Sequence, residues 1–334
     1  MSAVSAAALT EDVALQIWQI RARQAYPRAL KIEIARQRIR TWYQRHGGRV
    51  VVSFSGGKDS VALLHLVREM YPDVPAVFVD TGMEYPEVRA VALAASNLEV
   101  LRPDKSFRQV IKEYGWPVIG RRQSQFIKEA GRAPLGSKLY AKRMRGCRPD
   151  GTQDRLAAIP KCYRYLVPLV RAGVIKISDS CCDVMKKRPL RRYQKATGRA
   201  PYLGIMADES QNRLMSWMRY GCNVFETKNP MSRPLMAWST HDVLCYIREH
   251  DLSLAECYGE IVEGADGQLE TSGLSGTGCM FCGFGAHLEE RPNRFEVMAD
   301  KYPKRWDYIV NRLGGAKVFD LVGIPYKPVW IPGG

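Results

Sequence analysis

The segment Arg49-Val50-Val51-Val52-Ser53-Phe54 constrains the fold more than any other part of the 334-residue chain. Three successive valines read as a strand buried on both faces. Directly after it come Ser55-Gly56-Gly57-Lys58-Asp59-Ser60 and then Val61, Leu63, Leu64 and Val67, an apolar series that predicts a helix. Two further strands, Ala76-Val77-Phe78-Val79-Asp80 and Leu98-Glu99-Val100-Leu101, each lead into a helical stretch. Strand and helix in alternation predict an α/β fold built on a doubly wound parallel sheet. Pro201-Tyr202-Leu203-Gly204-Ile205-Met206 is expected to return the chain to that sheet.

On either side of this core the pattern changes. From Leu9 to about Arg45, apolar residues at Val13, Ile17 and Ile20 and then at Leu30, Ile34 and Ile39 keep helical spacing, interrupted near Pro27. Basic residues dominate the polar side, and a solvated helical face is the plainest meaning of that. Residues 120–200 are less regular and strongly basic. Ser239-Thr240-His241-Asp242 has the form of a helix cap ahead of Val243 to His250. Residues 259–278 are glycine-rich and are expected to be a loop. The predicted organisation is a basic helical extension over 1–46, the α/β domain over 47–235 and a helical and cysteine-loop region over 236–334.

Lysine and arginine number 50 against 34 aspartates and glutamates, for a net charge of +16. Such a balance suits an anionic substrate or a polyanionic partner. Met1-Ser2-Ala3-Val4 runs into the acidic pair Glu11-Asp12 rather than through a basic and then apolar stretch, so a signal peptide is not expected. No uncharged apolar run reaches membrane-spanning length, and a cytoplasmic protein without a membrane partner is expected. Nine cysteines are an odd number and too sparse for a disulfide scaffold, so metal or cluster ligation comes first to mind.

The turn Ser53-Phe54-Ser55-Gly56-Gly57-Lys58-Asp59-Ser60 lies where unpaired backbone N–H groups and the positive end of a helix dipole can hold phosphate. Adjacent glycines let the backbone approach the anion, Ser55 and Ser60 add hydroxyl donors, and Lys58 can neutralise charge near the bridging oxygens. This is neither the Walker pattern nor G-x-G-x-x-G. It resembles the S-G-G-x-D-S loop of the PP-loop, or adenine nucleotide α-hydrolase, superfamily, whose members cleave ATP to AMP and pyrophosphate or bind an adenylyl sulfate. Val79-Asp80-Thr81-Gly82-Met83-Glu84-Tyr85-Pro86-Glu87 resembles the D-T-G-x-x-x-P-E segment of the phosphosulfate reductase branch. The resemblance implies a Rossmann-like PP-loop fold with Asp80 and Thr81 beside the adenosine; Glu84 and Glu87 can equally open the next helix.

Cys181-Cys182 and Cys279-Met280-Phe281-Cys282 supply four thiols, a set suited to an iron-sulfur cluster or to tetrahedral zinc. Consecutive cysteines chelate one small zinc ion poorly, whereas a cubane offers separate iron corners. Cys181-Cys182-Asp183-Val184-Met185-Lys186-Lys187-Arg188-Pro189-Leu190 resembles the C-C-x-x-x-K-x-x-P-L segment of cluster-bearing adenylyl sulfate reductases, which implies a 4Fe-4S cluster on Cys181, Cys182, Cys279 and Cys282. Cys147, Cys162, Cys222, Cys245 and Cys257 read as buried small hydrophobes. His65 and His287 read as structural.

Two features depart from the reductase pattern. Leu203-Gly204-Ile205-Met206-Ala207-Asp208-Glu209-Ser210-Gln211-Asn212-Arg213 resembles the segment G-x-R-x-x-E-S, with Met206 at the arginine position. A thioether cannot replace a guanidinium on sulfate or phosphate. No cysteine follows Cys282 in this sequence, so no counterpart of the C-terminal E-C-G-[IL]-H nucleophile of the sulfonucleotide reductases is expected. Gly221-Cys222-Asn223 and Cys282-Gly283-Phe284-Gly285-Ala286-His287-Leu288-Glu289 resemble a phage- and plasmid-borne branch, akin to the DndC and SspD proteins of DNA phosphorothioation and to CysH-like proteins of type IV CRISPR loci.

Taken residue by residue, the resemblance implies Lys58, Asp59, Ser60 and Lys186 as catalytic. It implies nucleotide contacts from Ser53 through Ser60 and from Asp80, Thr81, Gly204 and Lys187. The expected activity is magnesium-dependent cleavage of ATP to AMP and pyrophosphate beside a 4Fe-4S cluster, activating an acceptor for sulfur transfer or modification. Its expected setting is a nucleic-acid-linked defence system, with nucleic acid or a protein of a defence complex as partner. The basic run Lys186, Lys187, Arg188, Arg191, Arg192, Lys195 and Arg199 is divided between the nucleotide and a polymer. A reductase of adenylyl sulfate or its 3'-phosphate, and a non-catalytic nucleotide-binding subunit, stand as alternatives.

Overall fold

The computed structural model describes residues 17–147, 151–227 and 229–328. Val13, with the other residues before Ile17, lies outside them, as do residues 329–334. In chain order the strands are β1 (Val50–Ser53), β2 (Ala76–Val79), β3 (Leu98–Leu101), β4 (Val118–Ile119), β5 (Ala200–Leu203), β6 (Asn223–Val224), β7 (Met231–Ser232), β8 (Ile261–Glu263), β9 (Leu269–Thr271) and β10 (Gly283–Phe284). The chain divides into two compact units. The first gathers the residues through Asp80, Glu84–Leu101 and Leu190–Thr277; the second gathers Thr81–Met83, Arg102–Pro189 and the residues from Gly278 onward.

The first unit is built on a six-stranded sheet in the order β3-β2-β1-β5-β7-β6. Every neighbouring pair is parallel except β6 with β7. β1 therefore sits inside the sheet between β2 and β5, and its three valines have no exposed surface. Alternation along the strand sends Val50 and Val52 to one face. There the helices Arg28–Arg45 and Lys58–Met70 bring Ala35, Ile39, Trp42, Leu63 and Val67 against them. Val51 points to the other face, with Val77, Tyr193 and Leu190. At about 25 cal/mol per Å² of apolar surface removed from water, a strand covered on both faces is the most stabilising use of such residues.

The basic N-terminal segment breaks where Pro27 predicts, into helices Ile17–Gln24 and Arg28–Arg45. Its longer helix is fastened to the sheet by polar contacts as well as by packing. The Tyr202 hydroxyl donates to the Ile39 carbonyl at 2.8 Å. Lys31 forms a buried ion pair with Asp242 at 2.7 Å, both side chains under one tenth exposed. Asp242 also accepts from the backbone N–H and hydroxyl of Ser239, completing the capping box at the start of helix Thr240–Glu249.

One expectation is corrected and one region is filled in. The glycine-rich 259–278 region contains the antiparallel hairpin β8–β9, three residues to a strand and too short for an alternating pattern to show. Residues 120–200, irregular in sequence, hold helices Arg121–Arg132, Lys138–Arg145, Leu166–Arg171 and Arg188–Thr197. The first three belong to the second unit, where β4 and β10 pair in parallel and Phe295 packs on Phe319 with ring centres 4.5 Å apart. Among the described residues no helix is long and apolar enough to cross a membrane.

Replacing Lys31 with Met would leave the Asp242 carboxylate buried without its cation. The expected loss is about 3–5 kcal/mol of unfolding free energy in a urea titration. A loss below about 1 kcal/mol would show that the pair does not fasten the helix.

Candidate functional site

The segment from β1 to helix Lys58–Met70 forms a tight turn whose polar groups are turned on one another. The Ser60 hydroxyl donates to the Gly57 carbonyl at 2.8 Å and accepts from the Ser55 N–H at 3.2 Å. The Ser55 and Ser60 hydroxyl oxygens are 3.1 Å apart. Gly56 has φ +77°, and a Cβ there would stand 2.2 Å from the Val88 carbonyl oxygen, so glycine is required on both grounds. Gly57 and the first turn of the helix form an N-terminus with the geometry of an anion site.

Sheet order places the flanking residues. β1 continues outward to β2 and β3 on one side, while β5 lies on its other side, so the carboxyl ends of β1 and β5 mark the switch point where α/β sheets bind ligands. Gly204 follows β5 there, and a Cβ on it would come within 2.9 Å of the Asp59 carbonyl oxygen. Asp80 follows β2, is buried, and is held by a two-pronged contact from Arg89 at 2.7 and 3.0 Å.

Charge at the loop is concentrated and poorly hydrated. Lys58 is buried, with its ammonium 3.5 Å from Asp59 Oδ1. That oxygen has no partner with hydrogen-bond geometry, so the contact is an ion pair only. Burial raises the Asp59 pKa, with Lys58 and Arg213 opposing the shift. Arg213 is itself lowered by burial and favoured by Asp59. It lies in the first turn of helix Gln211–Tyr220 and against the Glu209 carboxylate. Met206 has no exposed surface and packs in the core with Phe54 and Leu63.

In the second unit, the four cysteines meet. Cys181, Cys182, Cys279 and Cys282 line one recess together with Met83, Phe107, Pro117, Met185, Phe281 and Lys186. Cys181 and Cys182 enter the turn Asp183–Lys187, while the Met280 N–H donates to the Met83 carbonyl at 2.8 Å and fixes the second cysteine pair. Burial pushes the Cys181 thiol up, and the charges of the other three would push it further, against Lys186. Burial and Cys279 push Cys282 up to about 12. Ionising all four thiols here would need a cation to offset their charge. Among the described residues no group of three or more His, Cys, Asp or Glu side chains is arranged to hold a metal ion.

The remaining expected residues are dispersed. Thr81 belongs to the second unit, where its hydroxyl accepts from the Met83 N–H at 3.2 Å. Lys187 ends the turn that carries Lys186. Glu87 is in the first turn of helix Pro86–Ala94, and Glu84 precedes that helix. His65 bonds the Tyr246 hydroxyl at 2.8 Å and His287 the Tyr163 hydroxyl at 2.7 Å, both structural contacts. Cys222 and Cys245 are buried, but Cys162 is exposed and Cys147 and Cys257 are half-buried, a correction to the reading of all five as core residues. Sequence reasoning misses three residues beside the loop: Arg213, Tyr258 and Thr277. Only Arg213 carries a signal, lying in the same segment as Met206.

The Phosphoadenosine phosphosulfate reductase domain profile matches residues 49–139 and 161–283. An adenosine 5'-phosphosulfate reductase of Chelativorans sp. (strain BNC1) is 27% identical over 229 residues, 66% of this chain and 66% of that one. An uncharacterized protein of Methanocaldococcus jannaschii is 33% identical over 277 residues, 80% of this chain and 42% of that one. The chain spans from about a third to about two thirds of the length of the curated relatives it matches. The crystal structure of the phosphoadenylyl-sulfate (PAPS) reductase from Candida auris has 16% identity and a TM-score of 0.37, covering 73% of this chain and 92% of that one.

Alanine at Gly56 is expected to cost about 1–3 kcal/mol through its left-handed backbone alone, and more through the Val88 clash. Alanine at Gly57, where φ is −79° and the nearest contacts are hydroxyls at 3.2 Å, is expected to cost less. Denaturant titration of both variants checks the order; equal losses would contradict it.

Proposed function

This chain belongs to the phosphoadenosine phosphosulfate reductase domain family, and from that premise we propose that it is an ATP α-hydrolase rather than a reductase. The observation that carries the choice is Met206, sealed in the core at the position where the reductase pattern has an arginine. No guanidinium reaches a sulfate from that place. The complete Ser55-Gly56-Gly57-Lys58-Asp59-Ser60 loop at the switch point supports an adenine nucleotide in either reading.

In this reading the loop amides other than that of Lys58 and the Ser55 hydroxyl hold the phosphates, Ser60 braces the turn through the Gly57 carbonyl, and the Lys58 ammonium faces the bridge between the α and β phosphorus atoms. An acceptor oxygen, that of water where no other acceptor is bound, forms a bond to the α phosphorus while the bond to the bridging oxygen breaks, and pyrophosphate leaves with the electron pair. The acceptor is then adenylylated, and a sulfur or other nucleophile displaces AMP. Magnesium carried on the phosphates would spread the developing charge, and the Asp59 carboxylate, held beside Lys58, orients that ammonium.

The thiols of Cys181, Cys182, Cys279 and Cys282 fit a 4Fe-4S cluster by number and softness and line one recess; they would hold it once drawn together, since the described residues show no group already arranged around a metal ion. Such a cluster supplies a place to bind or carry sulfur. Lys186, at the same recess, tempers the thiolate charge.

Nucleic acid is the acceptor class favoured here. The family profile leaves residues 140–160 unmatched. The helix Lys138–Arg145 buries none of its residues, exposes Lys138, Arg145 and Leu139, and stacks Arg143 on Phe126 with 3.8 Å to the ring centre. Cations interleaved with exposed apolar side chains suit a phosphate backbone with unstacked bases.

Anaerobically purified protein carrying its iron is expected to release pyrophosphate from ATP in the presence of magnesium, and Asp59→Asn to bind ATP but release at least about a hundredfold less, the scale set by one lost electrostatic contributor. Intact nucleotide with the cluster in place would sink the proposal. Reductase activity is the second reading, favoured by the Chelativorans relative; sulfite release from adenylyl sulfate with thioredoxin would establish it. Filter binding of single-stranded nucleic acid should weaken with salt, and the K138E/R145E double variant should lower the slope of log affinity on log salt by about two. An unchanged slope removes that surface from the account.

A further inference from the structure

Two hydroxyl groups that no motif covers stand against the phosphate loop. The Lys58 N–H donates to the Tyr258 hydroxyl at 3.2 Å. The Tyr258 oxygen is in turn 2.6 Å from Thr277 Oγ1. A Cβ on Gly57 would stand 3.2 Å from both oxygens, so the missing side chain of that glycine makes room for the pair. Tyr258 is 1% exposed. Its backbone is pinned by the chain leaving the β8–β9 hairpin: the Gly273 N–H donates to the Tyr258 carbonyl at 2.8 Å and the Leu274 N–H to the Cys257 carbonyl at 2.9 Å.

The protons can be placed. Tyr258 accepts from an amide, and burial keeps its phenol protonated, so its own proton needs an acceptor inside the protein. Thr277 Oγ1 is that acceptor. The threonine hydroxyl proton is then directed away from Tyr258, on a side chain that is only half-buried. The order amide, phenol, threonine is a chain of donors that begins at the positive end of helix Lys58–Met70, and each bond in such a chain strengthens the next.

We propose that Tyr258 is a positioning residue that relays the hydrogen-bonding strength of the helix N-terminus to the Thr277 hydroxyl, which binds the phosphate chain of the nucleotide. The proposal rests on the nucleotide-binding part of the proposed function and not on cleavage. It also assigns the Lys58 amide away from direct phosphate contact. The β8–β9 hairpin flank, which supplies both hydroxyls, thereby becomes part of the phosphate site.

The test is calorimetric titration of the full chain with inorganic pyrophosphate and with ATP, for wild type, Tyr258→Phe, Thr277→Val, the double variant and Thr277→Ser. A hydrogen bond to a charged group sets the scale. Thr277→Val should weaken binding about tenfold and Tyr258→Phe about fivefold, while the double variant should be no weaker than Thr277→Val because both changes cut one chain. Thr277→Ser, which keeps the hydroxyl, should bind within about twofold of wild type. Thr277→Val binding like wild type, or single effects that multiply in the double variant, would overturn the relay. Thr277 is not part of the buried core, so its variants decide for or against the relay even where Tyr258→Phe unfolds. Wild type that binds ATP without cleaving it defeats the hydrolase reading and leaves the relay to be judged on affinity; wild type that binds neither ligand defeats both.

Discussion

Close approach of backbone to backbone at the carboxyl end of β1 is the constraint from which the site follows. Gly56 meets the Val88 carbonyl, and Gly204 meets the backbone of Asp59, each at a distance that no Cβ tolerates. These two contacts lock the turn between the helix Pro86–Ala94 and the end of β5. A turn locked in this way presents a helix N-terminus to the switch point of the sheet and holds its serines where they satisfy one another. Preorganisation of this kind lets a loop bind phosphate without first being ordered.

Charge is the cost of that arrangement. Asp59 and Arg213 are both pushed toward their neutral forms by burial, and Lys58 is buried beside them. Three ionisable groups in little water stabilise the fold weakly, if at all, since desolvation offsets much of their attraction. With the Glu209 carboxylate on Arg213, two cations and two carboxylates stand together at the loop. In the second unit, burial and the neighbouring thiols hold Cys181 and Cys282 protonated unless a cation joins the thiolates.

The parts of this molecule that are legible in the sequence are those whose cause is local. Three valines followed by paired glycines and an apolar helix specify β1, its turn and Lys58–Met70 within a few residues, and Ser239 with Asp242 specifies the start of its helix by direct hydrogen bonds. The β8–β9 hairpin escapes because three-residue strands carry no period and glycine masks them. Tyr258 escapes because its bond to Lys58 spans about two hundred positions of sequence, farther than any spacing rule reaches, and Thr277 because it joins the Lys58 amide only through Tyr258. Met206 reads as a lost ligand on the strength of a resemblance, and its burial in the core adds the physical reason why its side chain contacts no anion.

The bond that is broken in the nucleotide tests the central claim most directly. Phosphorus NMR of ATP and magnesium incubated with the anaerobically purified protein is predicted to show AMP and pyrophosphate growing together as the α–β linkage disappears. ADP with inorganic phosphate, or ATP that persists unchanged beside folded, iron-loaded protein, would contradict it.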